Sequence, residues 1–209
     1  MWTVFFMKKG LKFFIFTMIL GVFVYMGSLA SDKKQLTDDI LRLHVVGASN
    51  SGEDQAVKLQ VRDAVLAAVT ELTAGADNKE DAQKLLADNL SVLERAANEV
   101  LSEQGFSQRV TVSLNREEFP RREYDTFTLP AGVYDSLRVT IGEGQGRNWW
   151  CVVFPSLCIP AASEETKDVA AGAGFSDSLS GAITGQEQYQ VRFFLLDIWG
   201  RLENFFHKG

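Results

Sequence analysis

The pattern that most restricts the fold is a pair of helical stripes set between runs of alternating residues. Val57, Val61, Ala64, Val65, Ala68, Val69 and Leu72 recur at three- and four-residue spacing, which puts them on one face of a helix. Ser51 with Asp54 three residues later has the capping-box spacing, so this helix starts at 52. Gly75 stands where a C′ glycine ends a helix. A second stripe, Ala82, Leu86, Leu90, Leu93, Ala97, Val100 and Leu101, follows Asn78 with Asp81, and Gly105 closes it. Two helices joined by a short turn lie antiparallel, and both stripes need a second layer to cover them.

The alternating runs supply that layer. Leu41, Leu43 and Val45 alternate with Arg42 and His44. Val110, Val112 and Leu114 alternate with Thr111, Ser113 and Asn115, and Leu137, Val139 and Ile141 with Arg138 and Thr140. Period two marks strands with one face in the core. Residues 123–129 read as a further strand, followed by a Leu129-Pro130-Ala131-Gly132 turn. Residues 149–154 are continuously apolar, short and aromatic, the pattern of a buried strand. Val191, Phe194, Leu195, Ile198, Leu202 and Phe205 mark a C-terminal amphipathic helix. The expected architecture is α+β: a mostly antiparallel sheet packed against an antiparallel helix pair, plus the C-terminal helix. It forms one domain over 40–206, with a weakly ordered Ala/Gly/Ser-rich loop at 161–185.

The first 30 residues set the compartment. They hold Lys8, Lys9 and Lys12, no acidic residue, and an apolar run over 13–26 broken by Thr17 and Gly21. Small residues follow at Ser28 and Ala30, the spacing of a signal-peptidase site. The segment reads as a secretory signal or as an uncleaved anchor of the same orientation, with the lysines cytoplasmic and the rest exported. A polar leader spans 31–39. The net charge of the chain is -6, and losing the three lysines leaves 18 basic against 27 acidic residues. That balance argues against a nucleic-acid partner and against a basic membrane-binding surface, so membrane contact is expected only through the N-terminal segment.

Little in the sequence suggests chemistry. Two cysteines exclude a Cys-only zinc site, which needs three or four thiolates, and two histidines leave little material for a His-rich centre, so no metal, cofactor or catalytic residue is assigned. Gly142, Gly144 and Gly146 resemble a nucleotide loop, but that motif needs a helix directly afterwards. Here Arg147-Asn148-Trp149-Trp150-Cys151 leads into a strand, and the glycines fit a hairpin loop with positive φ. Cys151 and Cys158 flank Pro155 and are either a disulfide or two buried thiols. A thiol hydrolase pairing one of them with His44 needs an activated thiolate. An apolar strand around Cys151 works against that, and His44 reads as a sheet-face residue. Trp149 and Trp150 point to opposite sides of a strand, so one indole can serve as a surface anchor for a protein partner. The candidate partner-binding set is Gly142, Gly144, Gly146, Arg147, Asn148, Trp149 and Trp150.

Two segments resemble a known family. The first is Leu41-Arg42-Leu43-His44-Val45-Val46, Ser49-x-Ser51-x-Glu53-Asp54-Gln55 and Lys58-Leu59-Gln60-Val61-Arg62-Asp63-Ala64-Val65. The second runs from Leu129-Pro130-Ala131-Gly132 through Gly142-Glu143-Gly144-Gln145-Gly146 to Asn148-Trp149-Trp150-Cys151-Val152-Val153-Phe154-Pro155, with Leu157-Cys158 after it. Together they are similar to stage II sporulation protein R of endospore-forming Firmicutes. The chain departs from the family pattern at Gly47-Ala48-Ser49-Asn50, at Arg147 where histidine is usual, and at Pro155-Ser156 where two prolines are usual.

The resemblance implies a signal rather than an enzyme. A protein of this kind is exported from the forespore into the space between forespore and mother cell. There it triggers a membrane-embedded aspartic protease that removes the pro-sequence of the sigma factor σE. The alternative is an extracytoplasmic Cys-dependent hydrolase acting on peptide or cell wall.

Overall fold

The computed structural model describes residues 2–124, 127–155, 179, 181–182, 184–185 and 190–207. In chain order the elements are α1 (Trp2–Asp39), β1 (Leu41–Val46), α2 (Gly52–Thr73), α3 (Lys79–Asp88), α4 (Leu90–Glu103), β2 (Val110–Phe119), β3 (Arg122–Glu123), β4 (Thr128–Leu129), β5 (Gly132–Ile141), β6 (Asn148–Phe154) and α5 (Gln190–His207). The main sheet has the order β2-β5-β1-β6. The β2–β5 and β1–β6 pairs are antiparallel, while β1 and β5 run parallel. The class is α+β, and the sheet is mostly antiparallel.

One face of the sheet carries the helices. Leu41, Leu43, Val45, Leu137, Val139, Ile141 and Val153 pack with Val57, Val61, Val65, Val69, Leu86, Leu93, Ala97 and Leu101. The alternation in the strands and the helical stripes therefore meet as the sequence predicts. The caps are also as expected: the Asp54 amide donates to the Ser51 hydroxyl at 3.1 Å and the Asp81 amide to Asn78 Oδ1 at 2.9 Å.

The second stripe is not one helix. It breaks at Asn89, whose Nδ2 donates to the Leu85 carbonyl at 2.8 Å, the competition with backbone that disfavours asparagine inside helices. Gly105 closes α4 with φ +76, and the Phe106 and Gly105 amides donate to the carbonyls of Leu101 and Ser102, a Schellman ending. Gly75 plays no such part. It lacks a positive φ, and α2 ends instead with the Ala74 amide bonded to Glu71 O and the Ala76 amide to Thr73 O. Side chains of α4 satisfy the outer edge of β2: Asn98 Oδ1 and Glu94 Oε1 accept the amides of Val110 and Val112, each at 2.9 Å. This covers an edge that would otherwise expose unpaired backbone groups.

The opposite face is covered by the end of α1 and by α5. Leu29, Leu36, Ile40, Phe119, Phe127, Leu129, Tyr134, Val152, Leu179 and Leu196 form this second core. Residues 31–39, read above as a polar leader, are the last turns of α1, with Leu36 and Asp32 buried. Residues 123–129 are not one strand. The Tyr124 amide bonds to Phe127 O at 2.8 Å, and the segment folds into the β3–β4 pair.

α5 forms where the apolar spacing predicts it, with the opposite face inward. Phe193, Leu196, Asp197 and Gly200 are buried, whereas Val191, Phe194, Ile198, Leu202 and Phe205 are exposed. The docking surface explains this. α5 crosses the bend at Ala131, where a Cβ on residue 200 would lie 1.5 Å from the Ala131 carbonyl oxygen. Asp197 Oδ1 accepts the Ala131 amide at 2.9 Å, and Asn204 Nδ2 donates to Phe119 O at 3.0 Å. A helix that meets backbone needs small and polar side chains on that face. Most of 161–185 lies outside the described residues; Leu179 and Ala182 within it are buried.

Candidate functional site

The glycine loop joins β5 to β6. Gly142 and Gly144 have φ +59 and +65, and the Gly144 amide donates to Ile141 O at 3.1 Å. The loop lies against the turn after β1, with the Gly146 amide bonded to Gly47 O at 2.8 Å and the Gln145 amide to Ala48 O at 3.3 Å. A Cβ on residue 146 would come 2.3 Å from the Ser49 carbonyl oxygen. Beneath the contact, buried Lys58 donates to Arg147 O at 3.0 Å and to Gln55 Oε1 at 2.6 Å. Burial, and then the nearby Arg147 and Arg62 charges, push the lysine pKa down. The three glycines are thus tied to the architecture of the paired loops.

Beyond the glycines the predicted residues separate. Arg147, Asn148 and Trp149 are exposed, and the Arg62 guanidinium of α2 sits 4.3 Å from the Trp149 ring centre. Trp150 turns to the other side of the sheet, stacked on His44 at 5.7 Å between ring centres, with the Arg122 guanidinium 3.7 Å from the Trp150 ring centre. The two indoles therefore occupy opposite faces, as the strand alternation predicts.

Cys151 and His44 are also separated by the sheet. Cys151 pairs with Leu43 and faces the α2–α4 core, while His44 pairs with Trp150 and faces the other way. Cys151 is disulfide-bonded. Cys158, the other cysteine of the chain, lies outside the described residues. The Cys151–His44 dyad that a thiol hydrolase would use does not form: the sulfur is in a disulfide and the imidazole is across the sheet.

A charged cluster that the sequence did not indicate occupies the His44 side. His44 Nδ1 donates to Glu117 Oε2 at 2.7 Å, and Arg138 Nη1 donates to Glu117 Oε1 at 3.0 Å. Because a carboxylate can only accept, Nδ1 carries the hydrogen. Burial raises the Glu117 pKa, but the His44 and Arg138 hydrogen bonds outweigh it and hold the carboxyl below the ordinary glutamate value. Next in line, fully buried Arg42 packs on the rings of Phe119 and Tyr134 at 4.1 and 5.0 Å, and its Nη2 donates to Tyr124 Oη at 2.9 Å. Among the described residues, Nε and Nη1 of Arg42, Nε2 of His44 and the hydroxyl of Ser136 are buried without a hydrogen-bond partner. The available signal was the polar half of each alternation: Arg42, His44 and Arg138 all sit at positions facing away from the helices. Their partner Glu117 is brought in only by the β2–β5 register.

Fold and site together define an α+β domain carried on an apolar N-terminal helix, with a glycine loop and an exposed tryptophan at one end of its sheet. The family model of stage II sporulation protein R matches residues 37–164. Stage II sporulation protein R of Bacillus subtilis (strain 168) is 30% identical over 151 residues, spanning 69% of this chain and 67% of that protein. No solved structure matches the chain. The chain belongs to the stage II sporulation protein R family, which places it among sporulation proteins. The matched segment holds the paired loops, the Arg42–His44 strand and the whole main sheet.

Proposed function

We propose that this protein is an exported signal that activates a membrane-embedded aspartic protease, leading to cleavage of pro-σE during sporulation. Export through the N-terminal helix delivers the domain to the space between forespore and mother cell. The observation that carries the contact surface is the shelf of Arg147, Asn148 and Trp149, exposed beside loops whose own conformation is held by backbone bonds. A rigid platform bearing an exposed indole and a guanidinium has the composition of an interface anchor.

The test is coexpression of the full chain with the candidate protease and pro-σE in a non-sporulating host. Trp149→Ala combined with Arg147→Glu should lower stability by about 1 kcal/mol, through loss of the Arg62 contact on the Trp149 ring, and leave the domain folded. Cleavage of pro-σE should fall strongly, since truncating an anchor costs about 2 kcal/mol or more of binding. Wild-type cleavage by this variant would move the contact elsewhere. An inactive wild-type pair would sink the proposed activity itself.

A further inference from the structure

α5 turns an apolar stripe away from its own domain. Val191, Phe194, Ile198, Leu202 and Phe205 follow helical spacing and are between 39% and 74% exposed. A helix of a water-soluble domain places such a stripe on the core. Here the charged side chains are drawn elsewhere: Arg192 to Asp32, Glu203 to Lys33 and Arg201 to Asp197, while the His207 ring lies against Glu118. No charge stands on the stripe itself.

The position of this stripe relative to α1 says what covers it. α1 is the one helix among the described residues long and apolar enough to cross a membrane. No charged residue lies between Lys12 and Asp32. At 1.5 Å per residue that stretch is about 28 Å long, close to the hydrocarbon thickness of about 30 Å. The hydrocarbon edge therefore falls near Asp32, the residue that binds Arg192 of α5. On the membrane side of this ion pair, Met26 and Leu29 of α1 line a mostly apolar groove of about 720 Å³ with Leu195, Trp199, Leu202 and Phe206 of α5, and Glu203 and His207 are its polar wall. Leu29 is also 2% exposed and part of the second core, so span and domain share one helix. Residues of α5 that share a groove with the end of the span lie at the depth of that end. Trp199 beside it suits the interface, where tryptophan is enriched.

We infer that α5 is a second membrane contact, its apolar stripe lying in the leaflet from which α1 emerges. The occupant of the stripe and groove is bilayer lipid. Docking to the bilayer orients the domain on the membrane surface, as amphipathic interfacial helices do. This inference rests on α1 spanning the bilayer and is independent of protease activation.

The full chain is reconstituted into vesicles of phosphatidylethanolamine and phosphatidylglycerol, with photoreactive benzoylphenylalanine replacing Phe16, Phe194, Phe205 or Leu85. Each position is exposed, so the substitutions leave the core intact, and thermal unfolding confirms it. Illumination and mass spectrometry should find lipid adducts at Phe16, Phe194 and Phe205 and their loss at Leu85 on α3. Lipid adducts at Phe16 alone overturn the inference. So do cross-links from Phe194 or Phe205 to a second copy of the chain, which would make the stripe a self-association face. Lipid adducts at none of the positions overturn the premise that α1 spans the bilayer, and with it the inference.

Discussion

Gly144 and Gly146 are required for different reasons. Gly144 has φ +65, and a Cβ there would meet Thr140 Cγ2 at 2.7 Å. Gly146 has an ordinary φ, but its Cβ would collide with the carbonyls of Ser49 and Gly47. The obstacle at Gly146 is backbone, so the paired loops must separate to admit a methyl group. Gly146→Ala should lower stability by roughly 1–3 kcal/mol, the usual range for a single disruptive change, read as a shift in urea midpoint at unchanged m-value. An unshifted midpoint would show that the loops are not coupled.

Glu117 makes the stability depend on pH. Its folded pKa is depressed, so the unfolded chain binds a proton more readily over the interval between the two values. Stability from this group is fully present above the ordinary glutamate pKa of about 4.3 and is lost as pH falls through the lower folded value. Glu117→Gln should cost roughly 1.5–3 kcal/mol at pH 7, the range for hydrogen bonds to a charged group. The difference from wild type should shrink towards pH 3 in denaturant titrations. An equal difference at both pH values would mean that Glu117 acts through packing alone. The sequence could not show this residue's role. Alternation placed His44 and Arg138 on one face, but their acceptor is on a strand distant in sequence and its identity depends on register.

Among the elements, α5 shows how far periodicity reaches. Its spacing marked a helix correctly and its apolar stripe was legible, but the stripe does not face the core. What decides the orientation is Gly200, the residue that lets the helix backbone approach Ala131. Gly200→Ala would gain helix propensity, about 0.8–1.0 kcal/mol in an isolated helix, yet it should destabilise this protein because the clash is with backbone. The expected result is faster proteolytic removal of the C-terminal segment with α2–α4 still folded. Unchanged protease resistance would show that α5 is not seated through this contact. The break between α3 and α4 is of the same kind. One continuous stripe spans both, and only the Asn89 side chain, bonded back to Leu85, shows where the helix divides.

For the whole molecule, the N-terminal helix belongs to the fold as well as to the export proposed for it. Leu20→Asp with Val22→Asp puts two charges into the apolar run, each costing about 2.5–3.5 kcal/mol at a membrane centre. The variant should accumulate in the cytoplasm, as cell fractionation would report, and its normal export would refute the role given to this segment. These positions are more than half exposed, so their loss of export cannot be ascribed to a disturbed core. Leu29 and Leu36 on the same helix are nearly fully buried, so the boundary between the exposed apolar run and the domain lies within α1.

The sequence alone determined the local matters: the helix starts at Ser51 and Asn78, the alternating strands, the glycine turns, the apolar N-terminal helix and the α+β class. Each depends on residues within a few positions of one another, where backbone sterics, capping and periodicity act directly. Tertiary structure decided which strands are neighbours, that β1 runs parallel to β5, that Glu117 meets His44, and which face of α5 points inward. Several of those outcomes depend on contacts between residues more than 60 positions apart, such as His44 with Glu117 and Ala131 with Asp197 at separations of 73 and 66. Such contacts depend on shape and hydrogen-bond complementarity between surfaces that exist only once the chain has folded.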